Sequence, residues 1–264
     1  MTDTSAAIIA VANEKGGVGK TVTAINLAAA LSLKGKTVLV VDMDPQANAT
    51  RGLGIQTEES PVTAYDMICR PESVAAEDVL VKTPWKRLDL IPSHVDLAGA
   101  EIELVDVVGR ENRLKQAMGP LRGRYDIMIL DTPPSLSLLT VNVFACAGSV
   151  IIPCQTHPYA FDALTDLFDT IGAIRQEINP QLTVSGVLAT MFDQRTRVSH
   201  NTLDRLRNDP RTKDLMYRTV IRSNTTIADS AGVGKPVVFY RTTSFGALDY
   251  KAFADEIFER LKKP

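Results

Sequence analysis

The sequence predicts an α/β fold: a mostly parallel, twisted sheet with helices on both faces, built as a single domain over residues 1–264. Short apolar runs rich in β-branched residues recur along the chain, separated by longer stretches with helical spacing, which is the pattern of βα units. The first of these runs leads into a glycine-rich loop that opens a helix. No Gly/Ser/Pro-rich linker divides the 264 residues, and a content of 45% hydrophobic and 23% charged residues suits a soluble chain with a sizeable core.

Ala6–Ala12 (AAIIAVA) reads as a buried strand, and Thr21–Lys34 (TVTAINLAAALSLK) as the helix after the loop, stopped by Gly35. Thr37–Asp42 (TVLVVD) is a second strand ending in a carboxylate. Leu88–Ile91, Asp126–Asp131 (DIMILD), Val150–Pro153 and Thr183–Ala189 continue the series, with helical patterns over Leu97–Val108 and Ala163–Glu177. Buried parallel strands read as such continuous apolar runs because both of their faces are covered.

Asn13–Thr21 spells NEKGGVGKT, the phosphate-binding pattern G-x-x-x-x-G-K-[ST] with Glu14 in place of the first glycine. Between a strand and a helix, the backbone N–H groups of Gly16, Gly17, Val18, Gly19, Lys20 and Thr21 can converge on phosphate oxygens, and the helix N-terminus favours the anion. Lys20 is placed to reach the β- and γ-phosphates, and Thr21 to offer a hydroxyl to Mg²⁺. Asp131, closing a later strand, is the matching acid for a metal-bound water. Nucleotide binding, with ATP and Mg²⁺ as cofactors, is therefore the expected chemistry.

The KGGVGKT variant resembles the deviant Walker A ATPases typified by ParA, Soj and MinD. The resemblance implies a P-loop NTPase fold and makes Lys15 the signature lysine, which crosses a homodimer interface to the partner's nucleotide when ATP is bound. A cation delivered in this way stabilises phosphate charge only in the closed dimer. VLVVDMDPQANAT matches the ParA- and Soj-like pattern D-x-D-P-Q-x-N, and by that resemblance Asp42 supports the Mg²⁺ shell, Asp44 positions the attacking water, and Pro45–Thr50 form a γ-phosphate-sensing switch. The likeness continues through Leu90–Val105, Tyr125–Asn142, Val150–Gln155, Gly186–Ser199 and Gly234–Tyr240. Val22 departs from it, replacing a threonine that would touch the α-phosphate, a loss of about 1 kcal/mol. Cys154–Phe161 departs as well. For the adenine, the family implies contacts at Met191–Asp193 and Ile221–Asn224, hence Met191, Asp193, Ile221 and Arg222.

Residues 193–222 carry a net charge of +4, although the whole chain carries −2. The family implies that arginines of this segment, Arg195, Arg197, Arg205, Arg207, Arg218 and Arg222, hold nonspecific DNA; concentrated positive charge suits phosphate-backbone binding without base reading. The competing reading is a solvated helix face whose arginines pair with neighbouring aspartates. Because the loop begins within the first twenty residues, no helix-turn-helix extension, and so no operator-specific binding, is expected.

Lys251–Lys263 sets Phe253, Ile257, Phe258 and Leu261 on one stripe. Asp255, Glu256 and Glu259 would be repelled by anionic lipid, which favours docking on the sheet over membrane targeting. No apolar run is long enough to span a bilayer and no signal-peptide pattern opens the chain, so a cytoplasmic, nucleoid-associated location is expected. His94, His157 and His200 lie in unlike contexts, and Cys69, Cys146 and Cys154 form no C-x-x-C pair, against a zinc site, a disulfide framework or a metallocluster scaffold.

The resemblance implies a partitioning or positioning ATPase with weak intrinsic turnover: an ATP-bound homodimer on nonspecific DNA, released when a ParB-like or other adaptor stimulates hydrolysis. The cargo would be a chromosome, a plasmid or a protein assembly. No residue is assignable from the sequence as a cis arginine finger. The alternative is a MinD-like ATPase working on a membrane surface.

Overall fold

The structure, a computed structural model, describes residues 6–57, 60 and 62–261. Its strands are β1 (Ala7–Val11), β2 (Val38–Asp42), β3 (Val81–Lys82), β4 (Leu88–Ile91), β5 (Ile127–Asp131), β6 (Ser149–Gln155), β7 (Thr183–Phe192) and β8 (Met216–Arg222). They form one eight-stranded sheet in the order β3-β4-β2-β5-β1-β6-β7-β8, parallel throughout except for the antiparallel β3–β4 pair. The helices are α1 (Lys20–Leu33), α2 (Asn48–Gly52), α3 (Ala64–Cys69), α4 (Ala100–Glu103), α5 (Arg113–Ala117), α6 (Leu138–Cys146), α7 (Ala160–Glu177), α8 (Arg197–Asn208), α9 (Thr225–Gly232), α10 (Val237–Tyr240) and α11 (Phe245–Leu261).

Strand alternation divides the interior into two cores. Ile9, Val11, Val38, Val40, Ile127 and Ile129 face α1, α10 and α11, whereas Ala10, Leu39, Val41, Met128 and Leu130 face α3, α5, α6 and α7. Helices on both faces are what make the central strands continuously apolar. Of the stripe expected on α11, Phe253 and Ile257 are buried in the first core together with Tyr250 and Ala254, which seats the helix on the sheet, whereas Phe258 is half-buried and Leu261 is 41% exposed. Lys262 and Lys263, which the expected helix included, lie outside the described residues.

Leu97–Val108 does not form the helix its spacing predicts. Val95–Gly99 is a 3₁₀ turn, α4 spans a single turn, and the chain then runs through i→i+3 bonds from Val105 to Ile102, Val107 to Leu104 and Arg110 to Val107. Val105, Val107 and Val108 lose χ1 freedom in a helix, and Gly109 adopts a left-handed φ of 75° that ends the segment.

Register places the site. Val11 and Asp42 each pair with Asp131, so three adjacent strands end together, and the turns leaving β1, β2 and β5 emerge side by side at the sheet's carboxyl edge.

Candidate nucleotide-binding site

The loop between β1 and α1 is held by distant side chains. Asn13 donates through Nδ2 to the Pro153 carbonyl (2.8 Å) and accepts the Lys15 N–H on Oδ1 (2.9 Å), while the Thr190 hydroxyl donates to the Val18 carbonyl (2.8 Å). Gly17 and Gly19 take φ of 75° and 89°, conformations that a side chain would strain. Gly19 caps α1 with no side-chain acceptor, and no backbone acceptor among the described residues takes the N–H of Gly16, Gly17, Val18 or Gly19. These unpaired donors at a helix start form a concave site for an anion.

Lys20 is 6% exposed, and its ammonium donates to the Lys15 carbonyl at 3.1 Å. Burial pulls its pKa down, opposed by the charges of Asp131 and Asp44. Lys15 is half-buried, makes no ion pair among the described residues, and is absent from the wall of the cleft formed by its own chain.

The acids differ sharply in their partners. Asp42 is fully buried and accepts from Thr50 N (2.8 Å), Thr50 Oγ1 (2.7 Å) and Asp44 N (3.1 Å). Burial nevertheless raises its pKa to about 6, against the Thr50 and Asp44 hydrogen bonds. Asp131 is equally buried, yet neither carboxylate oxygen has a hydrogen-bond partner among the described residues. Burial first, and the Asp42 charge second, push its pKa well up, with the Thr21 hydroxyl and Lys20 acting the other way. An unpartnered carboxylate of this kind is costly unless a cation meets it. The hard oxygen donors Thr21, Asp42 and Asp131 thus fit Mg²⁺.

Asp44 Oδ1 accepts the Gln46 N–H (2.9 Å), and the Ser93 hydroxyl donates to the Asp44 carbonyl (2.7 Å). Ala47 has a φ of 51°, and Thr50 connects α2 to both Asp42 and the Ser93 N–H. The segment expected to act as a switch is therefore pinned at Thr50 while turning sharply at Ala47.

A cleft of about 920 Å³ runs along these elements, large enough for a nucleotide. Its wall includes Gly16, Gly17, Gly19, Lys20, Thr21, Val22, Asp44 and Met191. Asp193, Ile221 and Arg222 are not on it. Ile221 points into the core and is 3% exposed, Arg222 is held by Asp249 through Nη2 (2.5 Å) and stacks on Phe245, and Asp193 accepts from Arg195. Ala231–Gly234, at the C-terminal end of α9 and just beyond it, supply that wall instead, together with Arg51, Gly52, Gly54 and Gln56. Sequence reasoning missed these; the glycine at 234, with φ 63° where a Cβ would meet the Arg51 carbonyl at 2.8 Å, was the available signal.

The basic segment is less free than its count suggests. Arg195 forks onto Asp193 (3.0 Å twice), Arg218 pairs with Glu259 (2.8 Å), and Arg205 stacks on Phe161 at 4.0 Å. Arg197 and Arg207, exposed on α8, have no ion-pair partner among the described residues. The exposed pairs of Arg195 and Arg218 are weak and screened. Arg222 is committed internally, so it serves neither the cleft nor an open basic face.

Fold and site define a nucleotide-binding protein of the P-loop class. Residues 6–184 match a family described as an AAA domain. Over 250 residues the chain is 42% identical to the sporulation initiation inhibitor protein Soj of Bacillus subtilis, covering 95% of this chain and 97% of that one. It is 40% identical over 253 residues to the chromosome partitioning protein ParA of Myxococcus xanthus, covering 96% and 88%. A crystal structure of cobyrinic acid a,c-diamide synthase from Mycobacterium smegmatis with bound ATP analogue and magnesium aligns with a TM-score of 0.83 at 33% identity, over 98% of this chain and 96% of that one. The chain belongs to the ParA/Soj family of P-loop ATPases.

Proposed function

We propose that this protein is a ParA-type partitioning or positioning ATPase, in which ATP closes a homodimer, the dimer holds nonspecific DNA, and hydrolysis stimulated by a ParB-like adaptor releases it. The observation that carries this reading is the buried, unpartnered Asp131 beside Asp42 and near Lys20, together with the free loop N–H groups: an acid and a set of donors whose partners a metal–triphosphate would supply. Thr21, Asp42 and Asp131 would hold Mg²⁺, which supplies charge neutralisation at the phosphates. Lys20 and the N–H groups of Gly16 to Thr21 bind the phosphates, and Val22 and Met191 border the remainder of the nucleotide. Asp44, at the cleft and oriented by its bond to Gln46, accepts a hydrogen bond from the attacking water. Lys15 does not line the cleft of its own subunit, which leaves it available for a role across the dimer interface. Slow intrinsic turnover until an adaptor acts is what the resemblance to ParA and Soj implies.

Names borne by the relatives, a sporulation inhibitor and a chromosome partitioning protein, support DNA as the track and a chromosome, plasmid or protein assembly as cargo, with a cytoplasmic, nucleoid-associated location. Arg197 and Arg207 are the first candidates for DNA contact, followed by Arg195, Arg205 and Arg218, which are themselves exposed but already engage Asp193, Phe161 and Glu259. The membrane-surface alternative is disfavoured by α11, whose Phe253 and Ile257 are spent on the core and whose polar side carries Asp255 and Glu259.

A salt titration of duplex DNA binding tests the reading. With an ATP analogue, log K should fall steeply against log[salt], by about 0.9 per phosphate neutralised. Charge removal at Arg197 and Arg207 should flatten the slope. Equal, shallow slopes with ATP analogue and ADP would contradict it.

A further inference from the structure

We infer that Arg51 is a positioning residue that ties the switch to the terminal phosphates of the nucleotide from within the same subunit. This rests on the nucleotide-site reading above and assigns a role to a side chain that it leaves without one.

Arg51 lies on α2, seven residues beyond Asp44, and lines the same cleft as Lys20 and Thr21. Side chains on a helix lean towards its N-terminus, which here directs the guanidinium back along the switch. There it donates to the Gln46 carbonyl and, at 3.0 Å, to Asn48 Oδ1; both residues also line the cleft. Both acceptors are neutral, and Arg51 forms no ion pair among the described residues. An arginine on the wall of an anion-binding cleft thus keeps a full, uncompensated charge, held by contacts that are cheap to exchange. A guanidinium fork prefers phosphate oxygens to neutral carbonyls, because charge-assisted bonds are about twice as strong.

The surroundings need that cation. Asp44 is on the cleft wall, Asp42 and Asp131 lie fully buried close to Asp44 and Lys20, and Lys20 and Arg51 are the cationic residues of that wall among the described residues. The backbone at Arg51 is well seated. Its N–H bonds to the Ala47 carbonyl, its carbonyl accepts from Gly54, and Thr50, one residue earlier, is bound to Asp42. Transfer of the side chain from Gln46 and Asn48 to a phosphate oxygen therefore leaves α2 in place and releases the Ala47 turn. The switch would then report the length of the phosphate chain through one side-chain exchange.

The test is equilibrium binding of a nonhydrolysable ATP analogue and of ADP, each with Mg²⁺, to the wild type and to Arg51→Ala, Arg51→Gln and Arg51→Lys. Arg51→Ala should weaken the ATP analogue about tenfold or more and ADP by less than about threefold, the loss expected for one charge-assisted contact to the terminal phosphate. Arg51→Gln keeps a donor for the Gln46 carbonyl but no charge, and should match Arg51→Ala. Arg51→Lys should recover part of the loss. Wild-type affinity in Arg51→Gln, or equal losses for ATP analogue and ADP, would reduce Arg51 to a staple of the switch and overturn the inference. Failure of the wild type to bind either nucleotide would overturn the site reading itself, and this inference with it.

Discussion

Asp131 bears the largest unmet electrostatic demand of any side chain in the site. Its neighbour Asp42 has its oxygens satisfied by Thr50 and the Asp44 N–H, whereas Asp131 has only the nearby Lys20 and Thr21 to offset burial beside a second carboxylate. Arg51 is the converse, a charge with only neutral acceptors. Asp131→Asn should therefore raise the melting temperature of the nucleotide-free protein at pH 7.5 by a few degrees, since relieving such strain is worth on the order of 1–3 kcal/mol. The same variant should lose the further stabilisation that Mg²⁺ and ATP give the wild type. Differential scanning fluorimetry with and without Mg–ATP reads both effects, and an unchanged ligand response would remove Asp131 from the metal site. Lys20, Thr21 and Asp131 were expected from their offsets from a glycine loop or a strand end, and Asp42 and Asp44 from the family resemblance of VLVVDMDPQANAT; the structure sets Lys20, Thr21 and Asp44 on the cleft wall and buries Asp42 and Asp131 close by. Asn13, Thr190 and Arg51 were not, because their contacts depend on how the segments come together: Thr190 meets Val18 across 172 residues of chain.

Among the elements, β8 is the sheet's last strand on its side, and α11 guards it. Glu256, 5% exposed, accepts from Arg218 N (2.9 Å), Thr219 N (3.0 Å) and Thr219 Oγ1 (2.9 Å), occupying backbone donors that an open edge would offer to another chain. Burial raises its pKa, but the Arg218 and Thr219 donors and the charge of Arg260 outweigh it, so the net shift is down from 4.5. A depressed carboxylate contributes stability that is complete above its unfolded pKa and disappears as pH falls through the folded value. Glu256→Gln should thus cost about 1–3 kcal/mol at pH 7, with the wild-type and variant melting temperatures converging as pH drops below 4.5. A gap that persists undiminished in acid would contradict the assignment. β8 was invisible in the sequence because Arg218 and Thr219 interrupt its apolar run. α6 was missed for the opposite reason: it is apolar nearly all round, with Leu139, Val143, Phe144, Ala145 and Cys146 all buried, and a helix without a polar face has no period to read. The central strands were plain because both of their sides are covered.

At the scale of the whole molecule, the chain separates its chemistry from its charge. The candidate phosphate-binding groups gather at the carboxyl ends of β1, β2 and β5, while the free arginines of α8 lie beyond β7 on a chain that is otherwise acidic. One protomer presents few unpaired arginines, Arg197 and Arg207 foremost, too few for firm hold on DNA at physiological salt. In the proposed dimer, two protomers closed over two nucleotides would double that number, and a nucleotide state would thereby become a DNA affinity. The proposed link between them is Lys15, which is not among the residues that line the cleft of its own subunit. The central claim is that triphosphate and dimer form together through this lysine. Light scattering of Asp44→Ala, which should hold ATP without hydrolysing it, tests this most directly. Twice the protomer mass with ATP, the protomer mass with ADP, and the protomer mass in both when Lys15→Ala is added are the results predicted. A mass that ignores the nucleotide, or a Lys15→Ala double variant that still dimerises with ATP, would contradict it.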